Sequence, residues 1–584
     1  MQISKQAISK FFFIIATALL SFIFYNVFIS SVLFIFKINI NPSYAIIALI
    51  LSIVTMMCIY PSKPMFIKNK LIERLLTVLL FILVIVSSIY LNGQFYDHTW
   101  DGNSYHKSTI GLMKDGWNPL YEDMEEYDSS QEMPLNIKSN SYDWGNHYAK
   151  ASHIFAANIY SITGNIECGK SINTLSIIIL FCYILSFLLN LKKKTIFSIL
   201  FSIVVVTYPV VCAQYLTNYV DLLVYIYLIL TILMFFFFEK PVFNQKSNLF
   251  VYFMILNIVI NIKFSSFGFA GIFCLGYFGW YIYRLLKNKI DKSFFKKFTI
   301  VSALGVISGV FLIGLSVYPK NLLEHGNPFY PLLGEGKIEI MIQNQPAYFE
   351  NKTPIEKFII STFSKAENIA QSSGLEATYK LPFTIYNTEL ENLSSVDLRI
   401  SGNGVLFSGI LIISLLILLS TSIFVFKKNK KAFIMLIIPV LITIAMIFLS
   451  NESWWARYFP QIYFIILASI AFLEILDKKL LKIIMYAFII VILINNGLTL
   501  SYSTKYSYDE SKLYASQFYN FEKQYNADTC NLELYTQSFH GAYYNIIDRY
   551  KDYQISFATD EEYNNSSNSF QTFMNSFVVW HCKE

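Results

Sequence analysis

Charged residues are scarce in this sequence. They make up 14% of its 584 residues, against about a quarter in an ordinary soluble domain, so a chain of that class is excluded. The seven cysteines have no C-x-x-C or similar spacing, which argues against a cysteine-ligated metal site. A glycine-rich phosphate loop, internal repeats and low-complexity segments are also lacking. The net charge of only +6 gives no indication of a nucleic-acid partner.

Hydrophobic residues, in contrast, make up 55% of the chain and recur in long runs. A helix needs about 20 apolar residues to cross a hydrocarbon core of roughly 30 Å. On that scale the sequence predicts an all-α polytopic membrane protein with about thirteen transmembrane helices. The predicted spans are 11–36, 43–60, 73–91, 172–191, 195–212, 218–238, 248–262, 266–286, 298–318, 404–426, 432–450, 458–476 and 482–500.

Lysine-rich loops indicate the orientation, because short cytoplasmic loops are enriched in Lys and Arg. In the predicted arrangement the lysine clusters fall on the side of the amino terminus, which we therefore expect in the cytoplasm. The outer side receives the acidic segment 92–171, the segment 319–403 and the carboxy-terminal tail. The clusters are Lys63, Lys68, Lys70 and Arg74; Lys192, Lys193 and Lys194; Lys287, Lys289, Lys292, Lys296 and Lys297; Lys427, Lys428, Lys430 and Lys431; and Lys478, Lys479 and Lys482.

The chain divides into three predicted parts. Residues 1–71 carry two amino-terminal transmembrane helices, 72–500 form the transmembrane core, and 501–584 form a small extracytoplasmic α+β domain. A domain of this size is only marginally stable without a cross-link such as a disulfide bond. Cys530 and Cys582 both lie in it, where they either form a disulfide or remain free.

Two amphipathic helices are predicted in the outer segments. Residues 151–160 are too short and too polar to span and should lie in the membrane interface. A second helix should follow Pro354, where Ile355, Phe358 and Ile359 recur at helical spacing. These helices either flank a groove open to lipid or cover the helix bundle.

The stretch from Asp97 to His106 follows the apolar run that ends near Leu91. Asp97 and Asp101 are four residues apart, so on a helical turn their carboxylates would share a face. A carboxylate beside the membrane can accept a proton from an attacking hydroxyl or hold a divalent cation, here with His106 as a further ligand. The alternative is a solvated acidic loop with a helix cap.

Three further ionisable residues occur near predicted span ends on the same outer face: Asp221, Lys263 and Arg457. Such groups are costly beside hydrocarbon unless they are paired or functional. Lys263 and Arg457 could each bind a phosphate, or they could anchor the chain at the interface. Asp221 is a candidate for substrate binding.

Taken in order, these motifs resemble the GT-C superfamily of integral-membrane glycosyltransferases. The resemblance covers about residues 72–500 and is strongest to bacterial members similar to dolichyl-phosphate-mannose protein mannosyltransferases and aminoarabinose transferases. The matching motifs are Trp100-Asp101-x-x-x-Tyr105-His106, Tyr219-Val220-Asp221, Ile262-Lys263-Phe264, Gly326-Asn327-Pro328-Phe329-Tyr330-Pro331 and Arg457-Tyr458-x-x-Pro460.

The resemblance implies a GT-C-like fold, a polyprenyl-phosphate sugar donor and an essential aspartate, which is matched by Asp101 with Asp97 as the other candidate. Two departures stand out. Two extra helices precede the first outer loop, and Ala456 stands where oligosaccharyltransferases have Asp, which disfavours transfer of a whole oligosaccharide to asparagine.

The expected reaction is a single inverting displacement on a glycan, lipid or protein acceptor. Asp101 would accept the acceptor's proton, while Lys263 and Arg457 would stabilise the departing phosphate. Tyr105 and His106 would position Asp101 or stack on sugar rings. No cofactor is required by this scheme, with the divalent cation as the alternative.

Other functions stay open at this point. An O-antigen polymerase or ligase would depend on outer arginines, of which Arg399, Arg457 and Arg549 are present. A transporter or flippase for lipid-linked glycans would need charges near mid-membrane. A non-catalytic assembly protein is the last alternative. The excess of Lys over Arg, with abundant Ile, Asn and Phe, is typical of AT-rich bacteria, so we expect the bacterial cytoplasmic membrane.

Overall fold

The computed structural model describes residues 4–135, 137, 139–525, 527–528, 530–536, 538–565, 569–571 and 576–582. The described chain is mostly helical, with a small carboxy-terminal sheet. Its α-helices are α1 (Lys5–Ile35), α2 (Ser43–Ile59), α3 (Lys70–Gly93), α4 (Lys107–Asp115), α5 (Met124–Ser129), α6 (Ser139–His147), α7 (Ala151–Thr163), α8 (Ser171–Asn190), α9 (Thr195–Val206), α10 (Pro209–Gln214), α11 (Asp221–Glu239), α12 (Gln245–Ile260), α13 (Phe264–Leu286), α14 (Lys292–Ser308), α15 (Tyr318–His325), α16 (Met341–Asn344), α17 (Pro354–Thr362), α18 (Asn387–Asn392), α19 (Phe407–Lys428), α20 (Lys430–Leu449), α21 (Tyr463–Leu476), α22 (Lys479–Gln524), α23 (Tyr543–Arg549) and α24 (Asp560–Asn565).

The polytopic helical architecture is confirmed. Within the described residues, nine helices are long and apolar enough to cross a membrane. Four shorter apolar helices, of 10–17 residues each, lie at the positions of the other four predicted spans. They are α2, α9, α12 and Pro460–Leu476, which comprises a short 3₁₀ turn and α21.

The bundle has a buried centre and an apolar exterior. α11 lies at the centre, with 89% of its most apolar stretch buried. The amino-terminal helix α1 belongs to the same bundle, because it packs against α8 and α12. Peripheral helices expose large apolar side chains, such as Leu419 at 78% and Leu449 at 81%. An exterior of this kind is stable only against lipid.

The two ends of the bundle differ in charge. α11 begins at Asp221 and ends at Glu239, about 27 Å apart along the helix axis. Glu239 forms ion pairs with Arg284 and Lys431, which places the ends of α13 and α20 beside it. Two further contacts join other lysine-rich turns: Lys193 pairs with Glu474 at 3.0 Å, and Lys428 donates to the Leu476 carbonyl at 2.8 Å. These predicted lysine clusters therefore share one end, opposite Asp221.

Both predicted amphipathic helices are present, but they differ in environment. α17 begins as expected after Pro354, with a capping box between Thr353 and Glu356. α7 contains the other predicted helix, yet residues 151–160 are all buried inside the protein. The prediction that this helix lies in the membrane interface is wrong, because its residues pack inside the protein instead of facing lipid. Asn158, for example, donates to Ser30 at 2.8 Å.

The predicted boundary at residue 501 falls within the long helix α22. This helix runs 46 residues without a break. A four-stranded sheet follows, in the order β2-β1-β4-β3, with β1 (Cys530–Thr536) parallel to β2 (Gln554–Phe557). β4 (Ser576–Cys582) is antiparallel to β1 and to β3 (Ser569–Gln571).

One of the two tail cysteines is cross-linked, which resolves for Cys530 the alternative left open by the sequence. Cys530 is disulfide-bonded, and the β1–β4 register places it directly opposite Cys582. The rings of Phe521 and Tyr525 contact Trp580, so the end of α22 packs against the sheet. The strands of the small domain therefore pair with one another, and the sheet that they form packs against the end of α22.

Candidate functional site

Asp97 anchors the loop that follows α3. Its Oδ1 accepts hydrogen bonds from the backbone N–H and hydroxyl of Thr99, at 2.9 and 2.6 Å. Its Oδ2 accepts two from Asn218, the backbone N–H and the side-chain amide, both at 2.7 Å. The side chain is fully buried. With four donors around it, this carboxylate acts as a structural acceptor that joins the loop to the start of α11.

A glycine is needed directly beside that carboxylate. Gly102 begins a short π-helical turn, and a Cβ built at this position would lie 2.2 Å from Asp97 Oδ2 and 2.6 Å from Thr99 Oγ1. No side chain fits without moving Asp97. The close approach also sets the position of Asp101, the residue immediately before the turn.

Asp101 has a different environment from Asp97. Its Oδ2 accepts a hydrogen bond from Arg457 at 2.8 Å, and 19% of its side chain stays exposed. No described residue donates to its second oxygen. Asp101 is therefore a carboxylate held by one cation while the rest of it remains accessible.

Arg457 lies at the centre of the site, in the turn between α20 and α21. Its Nε donates to Asp221 Oδ2 at 2.9 Å, and another guanidinium nitrogen lies 3.9 Å from Asp397 Oδ2. The guanidinium also lies 4.5 Å from the centre of the Tyr219 ring. One planar group thus contacts three carboxylates that are far apart in sequence, which its fork geometry permits and a lysine would not.

Asp221 and Lys263 complete the cluster from two helix starts. Lys263 precedes α13 and donates to Asp221 Oδ1 at 2.5 Å, while Gln214 lies 3.3 Å from Asp221 Oδ2. The Lys263 ammonium also lies 4.3 Å from the ring centre of Tyr458. As the first residue of α11, Asp221 is additionally favoured by the positive end of the helix dipole.

The cluster contains three carboxylates around two cations. Although burial opposes the charged form, Asp221 and Asp101 hold the pKa of Arg457 well above its ordinary value. Arg457 is therefore a permanent cation. With three carboxylates and two cations, the cluster carries a net charge of one negative unit. A charged ligand that binds there changes this net charge.

No protein-family model matches the chain, and no curated protein matches it. The residues themselves define the chemistry of the arrangement: a partly exposed carboxylate, Asp101, belongs to a cluster with two cations at one end of the helix bundle.

His106 supports this loop from inside the fold, whereas Tyr105 lies nearer the surface. His106 is buried, and its Nδ1 lies 2.6 Å from His153 Nε2. Burial lowers the pKa of His106 to about 3, so the ring is neutral. Because the ring of His106 is buried, it cannot stack on a sugar outside the fold. Its ring centre lies 4.2 Å from that of Tyr105, which is only partly buried. Tyr105 remains the candidate for a ligand contact.

The structure brings together four of the seven residues singled out from the sequence. Asp101, Asp221, Lys263 and Arg457 form one cluster, although up to 356 positions separate them. Asp97 and His106 contact other partners, so the alternative cation ligand set of Asp97, Asp101 and His106 does not converge.

Sequence reasoning missed Asp397 and a buried network beneath the loop. Glu167 binds Lys107 and Lys170, each at 2.6 Å, and all three side chains are fully buried. Asn545 of α23 donates to Glu167 at 2.8 Å, which ties the carboxy-terminal domain to the network. The pairing of Glu167 with Lys170 has helical i,i+3 spacing, which a search for such pairs could have found. Nothing in the sequence around Asp397 distinguishes it.

The carboxy-terminal domain also covers part of the loop. The Phe539 ring lies 4.7 Å from the exposed Trp100 ring, in an edge-to-face arrangement. A Cβ at Gly541 would lie 2.8 Å from the Asn103 carbonyl, so the two backbones are in close contact. The segment from Phe539 therefore forms one side of the approach to Asp101.

Proposed function

We propose that this protein is a membrane glycosyltransferase that transfers a sugar from a polyprenyl-phosphate donor to an acceptor on the outer side of the membrane. The observation that carries the proposal is the 2.8 Å contact between Asp101 and Arg457. It places a carboxylate that can take a proton directly beside a permanent cation that can stabilise a leaving phosphate.

The reaction is a single displacement with inversion at the anomeric carbon. The acceptor hydroxyl attacks that carbon as its proton moves to Asp101, through the oxygen to which no described residue donates. The bond between the anomeric carbon and the phosphate oxygen breaks at the same time. Polyprenyl phosphate leaves with the bonding electrons, and Asp101 later releases the proton to solvent.

Lys263 and Arg457 receive the phosphate. A phosphate brings additional negative charge to a cluster that already has a surplus carboxylate, so it must displace one carboxylate contact. The 3.9 Å approach of Arg457 to Asp397 is the longest in the cluster and the easiest to replace. Asp221 then holds both cations in position.

The location of the cluster favours transfer over transport. Asp221 is the first residue of α11 and Lys263 immediately precedes α13, so both charges lie at helix ends. A transporter site would be expected near the bilayer midplane. The lysine-rich ends lie about 27 Å from this cluster along α11. Since such ends are typically cytoplasmic, the site would face outward, where lipid-linked rather than nucleotide-linked sugars are available.

The outer arginines disfavour the polymerase or ligase alternative. Arg399 binds Asn344 and Asn368, and Arg549 binds Glu522. Only Arg457 among the three belongs to the cluster. A polymerase or ligase would use several arginines to hold two lipid-linked glycans, and the three outer arginines do not converge in the described part of the chain.

Transfer of radiolabelled sugar from membrane polyprenyl-phosphate sugars tests the proposal. Wild type should label a glycan, lipid or protein fraction, and the labelled fraction identifies the acceptor class. Arg457→Lys should abolish most labelling, because lysine cannot contact Asp101 and Asp221 together. Arg399→Lys is the matched control and should retain it. Equal labelling by all three proteins would refute the proposed site.

A further inference from the structure

A second cluster of ionisable groups lies outside the reaction site. His147 ends α6 in the first outer segment, and Glu324 and His325 end α15 in the second. Their ligand atoms all lie within 4.8 Å of one another. Two imidazoles and a carboxylate are the donor set of three-ligand zinc sites that keep a fourth position open.

The hydrogen bonds of Asn321 prepare His147 for such a role. Asn321 uses its amide nitrogen to donate to the carbonyls of His147 and Tyr330, at 2.9 and 2.8 Å. Its amide oxygen therefore accepts, and it lies 2.9 Å from His147 Nδ1. The Nδ1 proton is thus engaged, and Nε2 keeps a free lone pair. Fixing a ligand histidine through its other nitrogen is how metal sites orient their imidazoles.

The second histidine is oriented by aromatic packing. The His325 ring stacks on Tyr330 with ring centres 3.7 Å apart and planes only 4° from parallel. The His147 and His325 ring centres lie 4.6 Å apart, at 86° to each other. Two imidazoles with fixed planes therefore meet at one place.

The nearby charges can accommodate a cation. Lys150 donates to the carbonyls of Asn146 and Tyr148, and Lys320 donates to that of Pro119, so both ammonium groups are engaged with carbonyl oxygens. Asp143 lies one turn before His147 on α6, on the same helix face. Its carboxylate supplies a negative charge near the cluster.

We propose that His147, Glu324 and His325 bind a zinc ion that links the two outer segments. Ligand atoms around tetrahedral zinc are about 3.4 Å apart, so the cluster must close slightly on binding. Glu324 is exposed and can supply that movement. The link would act next to the reaction site, because Tyr148 packs on Phe264, the neighbour of Lys263.

Metal titration of the full-length protein, purified without a polyhistidine tag and stripped with EDTA, tests the inference. Cobalt is the spectroscopic probe. Wild type should bind one equivalent with the visible absorption of a tetrahedral site, and zinc should displace it. Glu324→Gln, at an exposed position, and His325→Gln, at a partly buried one, should each weaken cobalt binding by more than about tenfold. His581→Gln changes an exposed histidine of β4 and should bind as wild type does.

Two results would overturn the proposal. One is a wild-type protein that gives no tetrahedral cobalt spectrum, and the other is equal cobalt affinity in wild type and both ligand variants. Magnesium, which prefers oxygen ligands, should not compete. Because the spectrum is recorded without any sugar substrate, its outcome is independent of the proposed transferase activity.

Discussion

The ion pair between Lys263 and Asp221 can be removed by a single or by a double substitution. The two variant proteins should differ in stability, and both should lack activity. Lys263→Met deletes one cation and leaves a carboxylate that is only 1% exposed. Lys263→Met combined with Asp221→Asn deletes both charges at similar volume. Losing one partner of a buried pair is costly, whereas replacing both is often neutral.

The size of the destabilisation depends on the partners that Asp221 retains. Breaking a buried pair by removing one partner typically costs about 3–5 kcal/mol. In Lys263→Met, Asp221 still has Arg457 at 2.9 Å and Gln214 at 3.3 Å, so we expect the low end of that range, about 3 kcal/mol. The double variant also removes the Asp221 partner of Arg457, but Arg457 keeps Asp101 at 2.8 Å, so most of the loss should be regained.

Thermal unfolding in detergent, followed by the fraction that remains monodisperse, measures both variants. The single variant should unfold at a clearly lower temperature than wild type, and the double variant should approach wild type. Both should lack sugar transfer, because the phosphate loses Lys263 in each. Lys337→Met, at an exposed lysine paired with Glu339, is the control and should change neither property. A single variant as stable as wild type, or a double variant with full activity, would contradict this reasoning.

Three further perturbations test other parts of the structure. Gly102→Ala forces a Cβ to 2.2 Å from Asp97 Oδ2 and should abolish transfer in membranes without changing any charge. Glu167→Gln leaves two buried ammonium groups without their carboxylate, at a cost of about 3–5 kcal/mol, so size-exclusion profiles should show misfolded protein. Burial raises the pKa of Asp548 to about 6, so the folded state holds this proton more tightly than the unfolded state, whose pKa is about 3.9. Stability should therefore fall as pH rises from about 4 to about 6. Asp548→Asn should reduce that fall in pH-dependent melting, whereas the exposed Asp552→Asn should not.

The convergence of Asp221, Lys263 and Arg457 could be anticipated because all three lie at predicted span ends on one side. Helix ends at one face of a bundle are few, and charges there need partners. The choice between Asp97 and Asp101 could not be made from sequence. Both are aspartates in the same loop, and only the contacts of Asn218 and Arg457 distinguish them.

The long-range partners and element lengths were harder to predict. Asp397 belongs to the cluster only because the second outer segment folds back onto Arg457. α7 has the composition of an interfacial helix, but its burial depends on which helices pack around it. α22 continues to Gln524 because Phe518 and Phe521 pack against the small domain, a contact that no local pattern specifies.

Initial rates of sugar transfer by the purified protein in liposomes test the central claim most directly. We expect Asp101→Asn to lower the rate by about 10²–10⁴, the range for loss of a general base, while its unfolding temperature stays near that of wild type. Asp115→Asn, at an exposed residue of the same outer segment, should transfer sugar at the wild-type rate. A folded Asp101→Asn protein with the wild-type rate would contradict the account.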